Sequence, residues 1–328
     1  MFQQLKILRA FKNSSYQFFL QWFADACEEA GVAGIDNIKI HPKVRLLIAK
    51  SRLSRQLPFL KKSDMILIVP CCGYPDSFCF PFGYTYDIVP VLWDTWPRYH
   101  NRIILSFKRH HVKIAFFTQR IVAEKMQSLL PDTECRWLPE GINAAAYSKG
   151  DLLSVRSTDV LEFGRVNTAY HAAISARRGG VMFRLPKDGL LFKDFDSLKQ
   201  GLASSRIVIN FPRCDTNPEM AGGIETLTQR YWECMLSRTL MVGRAPKELV
   251  DFIGYNPVID VDWNNPRGQL VRLLANIDRY QGFVDKNFDV AALMAPWSKR
   301  VSPLIDSIQQ VYADFSPMHI QPQKGSFA

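Results

Sequence analysis

Residues 217–246 read NPEMAGGIETLTQRYWECMLSRTLMVGRAP. The stretch divides into three parts. Small residues surround Gly222-Gly223, a helical pattern covers 224–237, and the apolar run Thr239–Val242 follows. A small-residue loop feeding a helix and then a short buried strand is the repeating unit of an α/β domain. The start of such a helix has unpaired N–H groups and the positive end of the dipole, so it favours an anion. Gly222 and Gly223 let the backbone approach a ligand closely. Glu225 and Glu233 are a little over two turns apart, so both carboxylates share one face if the helix starts at Glu225.

The same pattern extends outward on both sides. Upstream, the runs 159–163, 180–185 and 206–211 are candidate strands, and 257–261 is another downstream. Helices fit between and beyond them at 168–178, 194–203 and 266–282. Nearer the N-terminus the runs 64–70, 88–93, 112–118 and 135–139 form a second series, with helices at 99–110 and 119–130. Their apolarity is continuous rather than alternating, which indicates strands covered by helices on both faces of a parallel sheet. Residues 15–30 read as a helix closed by Gly31. The expected fold is therefore α/β, with two doubly wound, Rossmann-like domains facing each other across a cleft. The first domain covers 1–150 and the second 151–297. A terminal helix and tail, 298–328, return toward the first. In such folds the ligand lies outside the carboxyl ends of the strands.

On these residues the sequence resembles the GT-B glycosyltransferases, in particular the retaining Glu-x7-Glu group (glycosyl transferases group 1) of bacterial polysaccharide synthesis. The resemblance implies transfer of a sugar from a nucleotide-diphosphate sugar to a hydroxyl of a glycan or lipid-linked glycan, with retained anomeric configuration. It assigns Glu225 to the donor sugar and Glu233 to the ribose hydroxyls. Gly222, Gly223, Ile224 and Thr226 belong to the loop and helix start facing the diphosphate. Phe163-Gly164-Arg165 follows the first strand of the second domain, where family members carry a Gly-Arg beside the diphosphate. Gly164 and Arg165 inherit that role, and a guanidinium there can neutralise the leaving group. Tyr170-His171 stands where the family has a lysine, and Thr226-Leu227-Thr228 where it has Gly-Phe-Gly. Leu138–Asn143 resembles the turn that closes the first GT-B domain. The usual opening strand and glycine loop are not discernible in the first 60 residues. The same fold also serves nucleotide-sugar epimerases and non-catalytic binding modules.

In the first domain, Trp93-Asp94-Thr95-Trp96 ends a buried run. Asp94 either handles the proton of an acceptor hydroxyl or caps the next helix. The tryptophans either stack on a sugar or fill the core. The seven cysteines show neither disulfide pairing nor zinc spacing, so reduced thiols, no metal and a cytoplasmic location are expected. No phosphate loop or nucleophile elbow occurs, and no cofactor is implied beyond the donor itself. The net charge of +10 is concentrated in residues 1–150, which carry +8. Between Asp36 and Asp64 lie eight bases (Lys39, Lys43, Arg45, Lys50, Arg52, Arg55, Lys61 and Lys62) and no acid. Such a segment is either a solvated helix face or a peripheral attachment to an anionic inner-leaflet surface. Nucleic acid is not expected as a partner.

Overall fold

A computed structural model describes residues 4–9, 18–38, 41, 43–44, 47, 65–77, 81–175, 181–185 and 191–314. Of the basic segment, Lys43 is described and exposed; the other seven bases lie outside the described residues.

The chain builds two parallel sheets. The first has the order β2-β1-β3-β4-β5-β6. Its strands are β1 (Gln4–Leu8), β2 (Ala33–Ile35), β3 (Met65–Cys72), β4 (Asp87–Trp93), β5 (Ile114–Phe117) and β6 (Glu134–Trp137). The second has the order β11-β10-β9-β7-β8. It is made of β7 (Thr158–Leu161), β8 (Phe183–Arg184), β9 (Ser205–Asn210), β10 (Leu240–Gly243) and β11 (Val258–Asp260). All residues of β4, β5 and β10 are buried, which explains their unbroken apolar runs.

The opening strand does exist, contrary to the expectation from the first 60 residues. β1 pairs with β2 on one side and β3 on the other. It has only five residues, with Gln4 and Lys6 interrupting the apolar pattern, so no continuous run marks it. Its burial is concentrated in Ile7 and Leu8.

Helices cover both faces of each sheet. α1 (Phe18–Glu29) lies against one face of the first sheet; α2 (His100–His110) and α3 (Arg120–Leu129) lie against the other. The second lobe adds α4 (Thr168–Ser175), α5 (Phe195–Ala203) and the one-turn α6 (Arg213–Thr216) and α7 (Pro218–Ala221). It continues with α8 (Gln229–Leu236), α9 (Lys247–Ile253), α10 (Pro266–Ala275) and α11 (Gln281–Met294). The pattern at 266–282 is thus two helices, separated at Asn276 by a 3-10 turn. The last helix, α12 (Ser298–Asp314), crosses to the first lobe. There Val301, Leu304, Ile308 and Tyr312 join Ile7, Phe23 and Ile68 in one core. Arg300 fastens the crossing by donating to the carbonyls of Pro139 (2.6 Å), Met294 (2.7 Å) and Pro296 (3.0 Å).

The helix expected over 224–237 is shorter than its pattern. α8 begins at Gln229 after Thr228, which takes an extended conformation (φ −120°, ψ 158°). Ile224 and Leu227 are buried, yet they sit in irregular chain. Their apolarity therefore reflects packing and not helical period.

Candidate functional site

The carboxyl ends of both sheets open onto one cavity of about 470 Å³ between the lobes. From the first lobe, Trp93 and Asp94 enter it at the end of β4, and Thr118 and Gln119 at the end of β5. From the second, Phe163, Gly164 and Arg165 enter after β7, and Arg213 after β9. The start of α8 supplies Thr228, Gln229 and Arg230, and its second turn supplies Glu233. A larger cavity of about 510 Å³ lies between β6, α9 and α12; its walls are mainly apolar (Phe116, Trp137, Phe252, Leu304), with Arg136, Lys299 and Ser307 among them and no carboxylate. Its Arg300 is already committed to backbone carbonyls. The first cavity combines arginines with carboxylates.

Three arginines from separate elements converge there. Gly164 adopts a left-handed conformation (φ +66°) that turns the chain after β7 and presents Arg165 to the cleft. Arg230 lies 4.9 Å from the centre of the Phe163 ring and donates to the Arg165 carbonyl at 3.2 Å. A Cβ on Gly164 would fall 2.4 Å from Arg230 Nη2, so glycine also makes room for that guanidinium. Arg213 lies 4.6 Å over Trp96 and 3.4 Å from the Asp94 carboxylate. Burial pushes Arg165 down to about 10, helped by the charges of Arg213 and Arg230. Among the described residues, no carboxylate forms an ion pair with Arg165 or Arg230. Clustered, under-neutralised guanidinium groups in a cleft form an anion site, and their planar forks match phosphate oxygens.

The carboxylates present are Asp94, Glu140 and Glu233. Asp94 holds a left-handed backbone φ of +52°, which aspartate and asparagine adopt more readily than other residues with a Cβ. Desolvation pushes its carboxyl above the usual range, against the pull of Arg213, Arg165 and Arg98. It caps no helix: the 3-10 turn Pro97–Tyr99 starts at Trp96 and has no side-chain cap. Glu140 is held well above the usual range by burial and then by Asp94. Glu233 is raised by burial and accepts the Tyr147 hydroxyl at 2.8 Å. Gln119 Nε2, Gln229 Nε2 and Arg213 Nε are buried without a protein partner. Buried donors are ordinarily paired, so their lack of partners on the cleft wall fits a polar occupant.

Of the residues expected from the sequence, Gly164, Arg165, Asp94, Thr226 and Glu233 line this cavity. Glu225 does not. Its carboxylate pairs with Arg244 and accepts the Lys247 N–H at 2.9 Å, at the first turn of α9. Gly222, Gly223 and Ile224 are also displaced: Ile224 and Ala221 join the apolar cluster of the first lobe, and Gly222 faces Pro97. The physical reason is the later start of α8, which brings Thr228–Arg230 to the cleft in their place. Trp96 and Tyr170 are core residues, 2% and 0% exposed. Arg213 and Arg230 were not anticipated. With the helix expected over 224–237, Arg230 fell in its second turn and carried no signal; only the start at Gln229 puts this cation in a first turn, against the dipole.

This reassignment has a test. Glu225→Ala is expected to cost about 1–2 kcal/mol of stability through the lost ion pair and cap. Affinity for a nucleoside diphosphate should stay within about twofold of the parent. Thermal unfolding and titration of the same samples separate the two effects.

No protein-family model and no curated protein matches the sequence. Solved structures do match its shape. HepE from Anabaena, in complex with UDP and glucose, superposes with a TM-score of 0.60 at 9% identity over 93% of this chain and 99% of that one. Sucrose-phosphate synthase from Thermosynechococcus elongatus gives 0.59 at 10% identity, over 95% and 100%. The T4 phage glucosyltransferase BGT with its UDP-glucose substrate gives 0.53 at 10% identity, over 94% and 98%. Two facing parallel sheets with these neighbours make the fold GT-B.

Proposed function

We propose that this GT-B chain is a glycosyltransferase that moves a sugar from a nucleotide-diphosphate sugar to a hydroxyl of a glycan or lipid-linked glycan. The observation that carries the reading is the convergence of Arg165, Arg213 and Arg230 at the carboxyl ends of the strands. Their guanidinium groups, with the first amides of α8, hold the diphosphate and take up its charge as the bond to the anomeric carbon breaks. Glu233 accepts hydrogen bonds from the ribose through Oε2, since Oε1 already takes the Tyr147 hydroxyl. Asp94, facing from the other lobe, accepts the proton that the acceptor hydroxyl loses as its oxygen bonds to the anomeric carbon. The Glu-x7-Glu resemblance implies retention of configuration, with Glu233 in the cleft and Glu225 paired to Arg244 outside it.

HepE and the phage enzyme hold UDP with glucose or UDP-glucose, which makes UDP the first probe. The arginines provide the positive charge that a divalent cation would otherwise bring, so binding should survive EDTA. A cell-surface glycan as acceptor, with peripheral attachment through the bases of 39–62, completes the reading. Thermal unfolding against a panel of nucleoside diphosphates and their sugars tests it. A ligand at one hundred times its Kd stabilises the folded state by about 2.7 kcal/mol, an easily measured rise in Tm. No shift with any of them would remove the proposal.

A further inference from the structure

Glu248 does not line the cleft, yet it touches the chain on both sides of it. It is the second residue of α9 and is 6% exposed. Its Oε2 accepts the N–H of Arg120 at 2.9 Å. Arg120 opens α3 in the first lobe, directly after the cleft residues Thr118 and Gln119. Glu248 Oε1 accepts the N–H of Leu227 at 3.1 Å. Leu227 lies between the cleft residues Thr226 and Thr228 of the second lobe. We propose that Glu248 is a positioning residue that fixes the spacing of the two cleft walls by gripping one backbone N–H from each. The catalytic part of this proposal rests on the cleft being the nucleotide-sugar site.

The grip is strongest when Glu248 is ionised, because a carboxylate accepts strongly at both oxygens, whereas the hydroxyl oxygen of a protonated carboxyl is a weak acceptor. Burial pushes the Glu248 carboxyl up to about 7, although the two amides, Trp137 and Arg120 oppose the rise. The surrounding charges are few. α3 contributes Arg120, already paired with Glu124 and near Asp251. The chain after β6 contributes Glu140, which repels Glu248. On α9 itself, Lys247 and Asp251 pair with each other, and in the preceding loop Glu225 pairs with Arg244. Because the folded-state value is raised, the folded chain favours the proton. The stability that Glu248 contributes is complete below the ordinary glutamate range and is lost as pH rises through about 7. At pH 8 the fold therefore maintains a charged grip at a cost in stability, as positioning groups often do.

The test uses Glu248→Gln and a second variant that leaves the carboxylate in place. Arg120→Pro deletes the gripped N–H at the first helical position, where proline is tolerated, and Gln119 is already extended (φ −110°, ψ 113°). Arg120→Ala controls for the side chain. In ligand-free protein at pH 8, Glu248→Gln and Arg120→Pro are expected to speed amide exchange at Leu227 about tenfold. Glu248→Gln should also speed it at Arg120, and Arg120→Ala should leave Leu227 unchanged. With a donor and acceptor in hand, the two variants lower kcat/KM by about ten- to a hundredfold. Glu248→Gln also flattens a loss of rate that the parent shows below about pH 7, while its Tm at pH 8 equals or exceeds the parent's. Parental exchange at Leu227 in both variants overturns the proposal. A parent that binds no nucleoside diphosphate overturns the catalytic reading alone, and the exchange measurement still decides whether Glu248 grips both walls.

Discussion

Arg165→Ala is expected to lower kcat/KM by about 10²–10³-fold, the usual effect of removing one donor aimed at developing transition-state charge. Arg300 is a buried guanidinium, but its protons are taken by four backbone carbonyls. Arg213 is shared with Asp94. Arg165 makes no ion pair within the described residues, and desolvation in the cleft and then two other arginines lower it to about 10. It remains charged at pH 8, and it gains most from an incoming diphosphate. Removing it relieves repulsion in the empty cleft, so the ligand-free Tm should stay level or rise while UDP affinity falls. A structural arginine would show the opposite, a lowered Tm with the remaining affinity intact. Arg165→Lys keeps the charge and loses the planar fork, and it should fall between the two. A parental kcat/KM in Arg165→Ala would show that the diphosphate is held elsewhere.

Much of the architecture could be read from the residues, for one physical reason. β3, β4, β5 and β9 are covered on both faces, so selection for burial leaves runs such as Ile66–Val69 and Ile207–Ile209 with no polar interruption. β1 is also flanked by neighbours, yet its partly exposed Gln4 and Lys6 hide it. The site was less legible. Arg165 and Glu233 were assigned through the GT-B resemblance, from the Gly-Arg after the first strand of the second domain and from the Glu-x7-Glu pattern, and the same pattern misplaced Glu225. The local pattern could not show that Ile224 and Leu227 are buried from a loop, and that difference moves the start of α8 to Gln229. Arg213 and Glu248 owe their roles to partners 119 and 128 residues away, and no local period encodes such contacts.

Asp94→Asn is expected to abolish most of the transfer while leaving donor binding in place. As the acid facing the arginines from the opposite lobe, Asp94 is the group proposed to take the acceptor's proton, a role worth about 10²–10⁴-fold in kcat. Asparagine suits the test because it also tolerates a φ of +52°, so the backbone turn after β4 persists; alanine would add strain. Loss of the carboxylate frees Arg213 for the diphosphate, so donor KM should hold or fall as kcat drops. Desolvation raises the Asp94 carboxyl above its ordinary value, so the folded state favours the protonated form. The base is active only when ionised, and the rate of the parent therefore climbs with pH through that raised value. Stability moves the other way: what Asp94 contributes is present below the ordinary aspartate range and lost above the raised one. Asp94→Asn should thus be at least as stable as the parent at pH 8, and its residual rate should lack the Asp94 limb of the pH profile. If it kept more than about a tenth of the parental kcat, proton removal would belong to another group, with the departing diphosphate the nearest base to consider.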